Sequence, residues 1–368
     1  MNLNSEFLTI ISYPWVKLAC GLILSFLVTF FGIPSIVKIS TIKGLYDMPG
    51  ARTSHDIPTP RLGGAMIFAG VILSSVLLAV NESLVQIYSV IGGLIVLFFI
   101  GIKDDIISLV PLKKAAGQLI AALILVIIGD VRLKLCDTWF ASESVAYIGD
   151  FLISLFVIMT LINSINLIDG IDGLASGIGI IGSLSFGIWF IISGHISNAV
   201  LCLSLTGSLI AFFWYNVFSK KNKIFLGDTG SMIIGFLLAF FVISFLDLNS
   251  TTQPGYLSAA PVIAISILFV PIFDTIRICV VRISQGKSIF RGDNNHIHHT
   301  VLRISGSHIK AAMWIVSINI LLITLIVLLS KLGNLLLLLL LVFVSACISF
   351  SLYFYLKRHP KQEINNHN

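Results

Sequence analysis

Charge is scarce in this chain. Only 11% of its 368 residues are Asp, Glu, Lys or Arg, against 57% hydrophobic, and the mean hydropathy is +1.02. A soluble domain of this length needs a charged surface, so that class is excluded and a polytopic membrane protein is implied. Cysteine is equally sparse. Cys20, Cys136, Cys202, Cys279 and Cys347 form no CxxC pair, and all but Cys136 lie in apolar runs, which excludes a disulfide framework and a thiolate metal site. No HExxH motif occurs, and no repeat of fixed period, which argues against an inverted-repeat transporter. The lead from Met1 to Pro14 has no basic residue and no small-residue cleavage site follows, so the apolar run from Leu18 reads as a retained span.

What is present is a series of apolar runs of membrane-crossing length. They fall at 15–39, 63–80, 87–102, 115–128, 145–162, 174–192, 196–218, 231–248, 257–281, 311–330 and 332–356, with 115–128 the shortest. The expected fold is therefore all-α, with about 11 transmembrane helices in one domain over 1–368 and a short cytoplasmic tail at 357–368. An odd number of spans puts the termini on opposite sides. If the loop after the first span is cytoplasmic, all of the 23 Lys and Arg but Lys17, Arg132, Lys134 and Lys331 fall on that side. This bias orients the N-terminus outside and the C-terminus in the cytoplasm. The net charge of +6 is then mostly topology and does not call for a nucleic acid partner.

On that orientation, every polar cluster gathers on the cytoplasmic side. Asn163, Asn166, Asp169 and Asp172 recur at intervals of three, and Gly170 and Gly173 loosen the stripe into a turn. Such a stripe can hold a polar ligand. Asp104 and Asp105 end a span, pointing about 100° apart on a helix, so that one can face a site while the other meets a neighbour. Lys103, Lys113 and Lys114 offer the plainer reading of a solvated charge cluster. Asp228 lies in Phe225–Ser231, where Gly227 and Gly230 permit close backbone approach and Ser231 is placed to cap the next helix. Clustered hard carboxylates without thiolates favour magnesium, with manganese as a substitute.

His296, His298 and His299 sit in one loop beside Arg291 and Arg303. On a helix His296 and His299 would share a face and His298 would point elsewhere. Imidazoles donating to phosphate or sugar oxygens suit this loop better than zinc, which would need a further ligand. Asp274 and Arg277, three apart, read as a helix-borne ion pair.

Taken together, these residues resemble the polyprenyl-phosphate N-acetylhexosamine-1-phosphate transferase superfamily, and its WecA/TagO-like branch more than its MraY branch. The resemblance rests on Asp47-x-Pro49-x-x-Arg52-x-x-His55 through Pro60 to Gly63-Gly64, on Asp104-Asp105, on Asn163 through Leu174, on Phe225 through Ser231, and on His296-Ile297-His298-His299. These segments run in the family's order along nearly the whole chain. The resemblance implies transfer of a sugar 1-phosphate from a UDP-N-acetylhexosamine, by default UDP-GlcNAc, to polyprenyl (undecaprenyl) phosphate in a bacterial cytoplasmic membrane, with release of UMP. It implies Asp228 and Asp169 as magnesium ligands. Asp104 would deprotonate or orient the lipid phosphate, beside Asp105, and His296, His298 and His299 would meet the diphosphate and sugar. Arg52, His55, Arg61, Asn163, Asn166, Asp169, Asp172, Phe225 and Arg291 would bind substrate, with Asp172 accepting from uracil and Phe225 stacking on it.

Two departures mark this chain. His-Ile-His-His replaces an unbroken triple histidine, which argues against a peptide-bearing donor. The insertion Lys220-Lys221-Asn222-Lys223 either alters the edge of the nucleotide pocket or anchors its loop. Direct displacement and a covalent phospho-enzyme remain alternatives, as does a homodimer beside the monomer. The rival classes are a CDP-alcohol phosphotransferase, a polytopic transporter and a lipid-binding scaffold. The first lacks its later pair of Asp residues, the second would place carboxylates at the bilayer midplane, and the third has no use for so many acids in one site.

Overall fold

The computed structural model describes residues 13–47, 58–78, 84–136, 142–249, 254–286 and 296–358. Thirteen α-helices occur among them. They are α1 (Pro14–Lys43), α2 (Gly63–Leu78), α3 (Leu84–Ile106), α4 (Pro111–Leu123), α5 (Glu143–Ile168), α6 (Leu174–Ile192), α7 (Ile196–Phe213), α8 (Gly227–Leu248), α9 (Ala260–Ile267), α10 (Phe269–Ser284), α11 (Ile297–Ser305), α12 (His308–Leu328) and α13 (Asn334–Arg358). Short π-helical turns continue α4 to Ile128 and α7 to Phe218. The only sheet among the described residues pairs β1 (Tyr46–Asp47) with β2 (Thr59–Pro60) in antiparallel register.

Among the described residues nine helices are long and apolar enough to cross a membrane; α9 and α10 form a broken pair, and α2 is a shorter apolar helix of 16 residues. These fill the positions of the expected spans, and the all-α polytopic architecture holds. The run at 257–281 is corrected, however, because it is not one straight helix. It bends by 79° between α9 and α10 at Leu268.

Proline explains the bend. Pro271 has no N–H to donate to the carbonyl of Ile267, four residues back, and in a bilayer that oxygen needs another donor. Asn319 Nδ2 on α12 supplies it at 3.0 Å. The same arrangement recurs in α1. Pro34 leaves the Phe30 carbonyl without its helical donor, and Tyr215 Oη, from the π-turn after α7, fills the place at 3.1 Å.

The central helix is α8. From Thr229 to Phe245 every residue is buried, and α8 packs against α2, α3, α5 and α6. An all-round apolar helix belongs in the interior of the bundle. Glycine allows the close approaches at its start: a Cβ on Gly64 would collide with the Gly230 backbone, and one on Gly101 with Thr229. The first turn of α8 is thereby seated between the start of α2 and the end of α3.

Candidate active site

Four chain segments meet around the N-terminus of α8. The end of α3 brings Asp104 and Asp105, α4 brings Lys114 and Gln118, the end of α5 brings Asn163 and Asn166 with the turn 169–173, and α8 brings Asp228 and Ser231. A fifth segment closes the group. Phe225 N–H donates to Pro60 O at 2.7 Å, and Gly63 and Gly64 N–H donate to Phe225 O and Leu226 O at 3.0 and 2.9 Å.

Lys114 stands at the middle. Its Nζ lies 2.5 Å from Asp228 Oδ1, 3.2 Å from Asp104 Oδ2 and 3.4 Å from Asn166 Oδ1. Asn166 Nδ2 also donates to Asp228 Oδ1 at 2.5 Å and to Ser231 Oγ at 2.8 Å. Asp104 Oδ1 accepts the Leu109 N–H at 2.6 Å, which fixes the carboxylate after α3 ends. Lys114 therefore bridges two acids rather than joining a solvated charge cluster. The sequence held one sign of this: Lys114 and Gln118 lie four apart on α4, on the face that meets α5.

Asp105 turns the other way. Its Oδ1 accepts Asp228 N–H at 2.7 Å, and its Oδ2 accepts Thr229 N–H at 3.1 Å and Thr229 Oγ1 at 2.5 Å. A carboxylate on the free N–H groups of a helix start is favoured by hydrogen bonding and by the helix dipole. Asp105 is thus the cap of α8. Ser231, expected as that cap, lies inside the helix instead, because α8 begins at Gly227, four residues earlier. Gly227 holds φ +74, and a Cβ there would strike Arg61 O and the Asp105 carboxylate.

The polar stripe divides. Asn166 faces Asp228, whereas Asn163 donates to Gln118 Oε1 at 3.1 Å and to Met159 O at 2.7 Å, away from the acids. Helix α5 ends at Ile168, so Asp169 and Asp172 belong to the following turn. Burial, with Asp228, Asp105 and Asp172 nearby and only Arg61 opposing, pushes the Asp169 carboxyl up to about 8. Asp172 Oδ2 pairs with Lys223 Nζ at 2.7 Å, and its N–H donates to His308 Nδ1 at 3.2 Å. Lys223 Nζ also stands 5.8 Å from the Phe225 ring centroid. The lysine insertion thus anchors its loop on Asp172. Asn216 joins the two loops, accepting from Gly173 N–H at 2.8 Å and donating to Ile224 O at 3.0 Å. Beside them opens a cavity of about 570 Å³, lined in part by Tyr46, Thr59, Asp172, Lys221, Lys223 and His308.

The histidines are arranged differently from a shared helical face. His296 precedes α11 in extended conformation, so it leaves the helical spacing. His296 Nδ1 lies 2.9 Å from Asp274 Oδ2 and His298 Nδ1 lies 3.7 Å from the same atom, while Ile297 N–H donates to Asp274 Oδ1 at 2.9 Å. Both Asp274 oxygens therefore serve the histidine segment, not an ion pair within α10. His298 packs on Gly170, where a Cβ would collide with its Nε2. Burial and the neighbouring imidazoles push His299 down to about 4, and burial lowers His298, so both are neutral at pH 7. Arg52, His55 and Arg291 lie outside the described residues.

The acids at Lys114 offer hard oxygen donors without sulfur, and Asp228 keeps part of its side chain exposed. The Asp169 carboxyl is raised first by burial and then by the neighbouring acids Asp228, Asp105 and Asp172. This donor set fits magnesium, which binds through one or two carboxylates and completes its shell with water and phosphate. Asp274, His296 and His298 form a separate group whose ligand atoms lie within 4.8 Å of one another.

Known proteins share long stretches of this sequence. The profile of glycosyl transferase family 4 matches residues 87–246, from α3 to near the end of α8. The undecaprenyl-phosphate alpha-N-acetylglucosaminyl 1-phosphate transferase of Escherichia coli (strain K12) is 29% identical over 271 residues, covering 72% of this chain and 71% of the relative. The decaprenyl-phosphate N-acetylglucosaminephosphotransferase of Mycobacterium tuberculosis (strain ATCC 25618 / H37Rv) is 29% identical over 335 residues, covering 82% and 79%. These matches span the acids of α3, the turn after α5 and the start of α8, and the chain is similar over them to the MraY/WecA family that its motifs resemble.

Proposed function

We propose that this chain transfers a sugar 1-phosphate from a UDP-N-acetylhexosamine, by default UDP-GlcNAc, to a polyprenyl phosphate held in the membrane. An oxygen of the lipid phosphate forms a bond to the β-phosphorus of the nucleotide sugar. The bond from that phosphorus to the bridging oxygen breaks, and UMP leaves with the electron pair. The products are UMP and a polyprenyl-diphospho-sugar. The observation that carries this reading is the bridging of Asp104 and Asp228 by Lys114 at the start of α8. Two phosphates repel each other, so catalysis must rest on positioning and on positive charge.

Asp228 and Asp169 are the residues that would hold magnesium; when bound, the ion neutralises phosphate oxygens and the developing charge of the leaving UMP. Lys114 supplies a fixed positive charge between the two acids and orients both. Asp104, held by Lys114 and by the Leu109 amide, is the acid placed to accept a proton from the lipid phosphate or to orient it. Asp105 keeps the start of α8 in place, and through it Asp228. The cavity beside Asp172 has the volume of a small-ligand site and takes the uridine end, with Lys223 in its lining and the Phe225 ring beside that lysine. His296, His298 and His299 belong to the diphosphate and sugar end, where neutral His298 and His299 donate through one ring N–H each. The charge bias supports a cytoplasmic position for this end of the bundle.

The test is direct. Purified protein in detergent, given polyprenyl phosphate and magnesium with UDP-GlcNAc, UDP-GalNAc or a 6-deoxy donor, is scored by UMP release and by chromatography of the lipid product. UMP release that requires both lipid and UDP-sugar supports the reading. UMP without lipid product, or no reaction with any donor, refutes it.

A further inference from the structure

Asp274 takes no part in the reaction drawn above, yet it is the acidic group on which the histidine segment is built. It lies on α10, past the break at Leu268, and its neighbour Thr275 fixes that helix to α5 by an Oγ1 contact of 2.9 Å to Ser164 Oγ. The same α5 carries Asn166 to Asp228 and leads into the turn of Asp169. Asp274, His296 and His298 are all buried. A buried carboxylate persists only when hydrogen-bonded or paired, and here the hydrogen bonds come from His296 Nδ1 and Ile297 N–H of one segment, with His298 Nδ1 3.7 Å away.

The chemistry of the contact sets the tautomer. An ionised carboxylate only accepts, so at 2.9 Å the proton must sit on His296 Nδ1. Nε2 is then the nitrogen left to exchange a proton or to hydrogen-bond with a phosphate oxygen. If Nε2 is protonated, the carboxylate behind Nδ1 stabilises the imidazolium, as in other carboxylate–imidazole pairs. His298 extends the link. Its ring stands against Gly170, the residue after Asp169, so Asp274, the imidazoles and the Asp169–Gly173 turn form one packed unit.

We propose that Asp274 is a positioning residue: it fixes His296 with the proton on Nδ1 and Nε2 free for a phosphate oxygen of the substrate, and it seats the histidine segment against the Asp169–Gly173 turn. This inference rests on the phosphoryl-transfer reading, which gives His296 a substrate to meet. The role is distinct from that of Asp104 and Asp228, because Asp274 acts through His296.

The test combines a spectrum with a cycle of variants. Nitrogen-15 labelling of histidine in the full chain, with His296 assigned by its loss in His296→Gln, reads which ring nitrogen carries the proton without requiring any change at Asp274. The expected spectrum has His296 protonated on Nδ1. Asp274→Asn, isosteric and checked for folding by monodisperse elution and UDP-sugar binding, is expected to alter that signal. It should also lower kcat by at least roughly 10-fold, between the effect of losing the partner of a metal-bound imidazole and that of losing the acid behind a general base, with little change in KM. The double variant should be no slower than His296→Gln alone. A proton on Nε2, losses that multiply in the double variant, or one tightly bound zinc per chain that Asp274→Asn releases would each overturn the proposal. Full turnover in His296→Gln would also overturn it, while a dead Asp228→Asn would still uphold phosphoryl transfer, so the two failures are told apart.

Discussion

The Asp105 carboxylate accepts both the hydroxyl of Thr229, at 2.5 Å, and its main-chain N–H, at 3.1 Å. This contact joins the end of α3 to the start of α8 and makes Asp105 a support for Asp228. Asp105→Ala should therefore lower stability by about 0.5–2 kcal/mol, the range for loss of a helix cap. Thr229→Val, which keeps the amide contact, should cost less. Thermal unfolding in detergent checks the order. A stability loss in Thr229→Val larger than that in Asp105→Ala would contradict it.

Lys114 Nζ occupies Asp228 Oδ1, an oxygen that the proposed magnesium would also need. Lys114→Met should leave magnesium binding tighter, seen as a lower half-saturating concentration, while turnover falls because the acids are no longer held apart and oriented. A magnesium titration of activity separates the two effects. Weaker apparent magnesium binding in Lys114→Met would mean that the lysine builds the metal site rather than sharing it.

Asp169 gives a dependence on pH with a definite sign. Its carboxyl stands near 8 in the folded chain, against about 3.9 for an unperturbed aspartate. Without a cation, the folded form keeps a proton that the unfolded chain releases, so this group lowers stability increasingly as pH rises from about 4 to 8. A cation at the site displaces that proton. The rise in melting temperature at fixed magnesium should therefore grow between pH 6 and 8.5 in the native chain and flatten in Asp169→Asn. A rise that is equal at both pH values, or a variant that keeps the full slope, would contradict the assignment of Asp169.

Much of this was legible in the sequence, and the failures have physical causes. Span positions follow from apolar length alone, and Asn166, Asp169 and Asp228 stand out as polar groups next to runs that exclude them. The break at Leu268 was hidden because 257–281 is apolar throughout, and Pro271 alone marks it; the Asn319 side chain that fills the gap comes from another helix. Asp274 and Arg277 suggested a local ion pair because spacing along a helix is visible and a partner 22 residues away, His296, is not. Asp105 and Asp104 look alike as neighbours, and only the path of α8 decides which one is capped against it. Lys114 beside Lys113 reads as topology until Asp104 and Asp228 are placed around it.

The proline carbonyls offer a test of the fold apart from the chemistry. Tyr215→Phe should leave the Phe30 carbonyl without a donor and cost about 1–3 kcal/mol, the range for a buried group left unsatisfied. In a Pro34→Ala background the helix provides its own N–H, and Tyr215→Phe should then be nearly neutral. Unfolding of the four chains in this cycle is the measurement. Equal losses in both backgrounds would show that the Tyr215 hydroxyl does not serve Phe30.

The central claim is that a phosphoryl group moves with the sugar, at a site that includes Asp228. UDP-GlcNAc labelled at the β-phosphate with phosphorus-32 addresses it directly. With polyprenyl phosphate and magnesium, the label should pass into the lipid fraction as unlabelled UMP is released, and Asp228→Asn should abolish both. Label retained in released UDP, with unlabelled phosphate in a sugar-bearing lipid, would show that the sugar alone is transferred and would contradict the account.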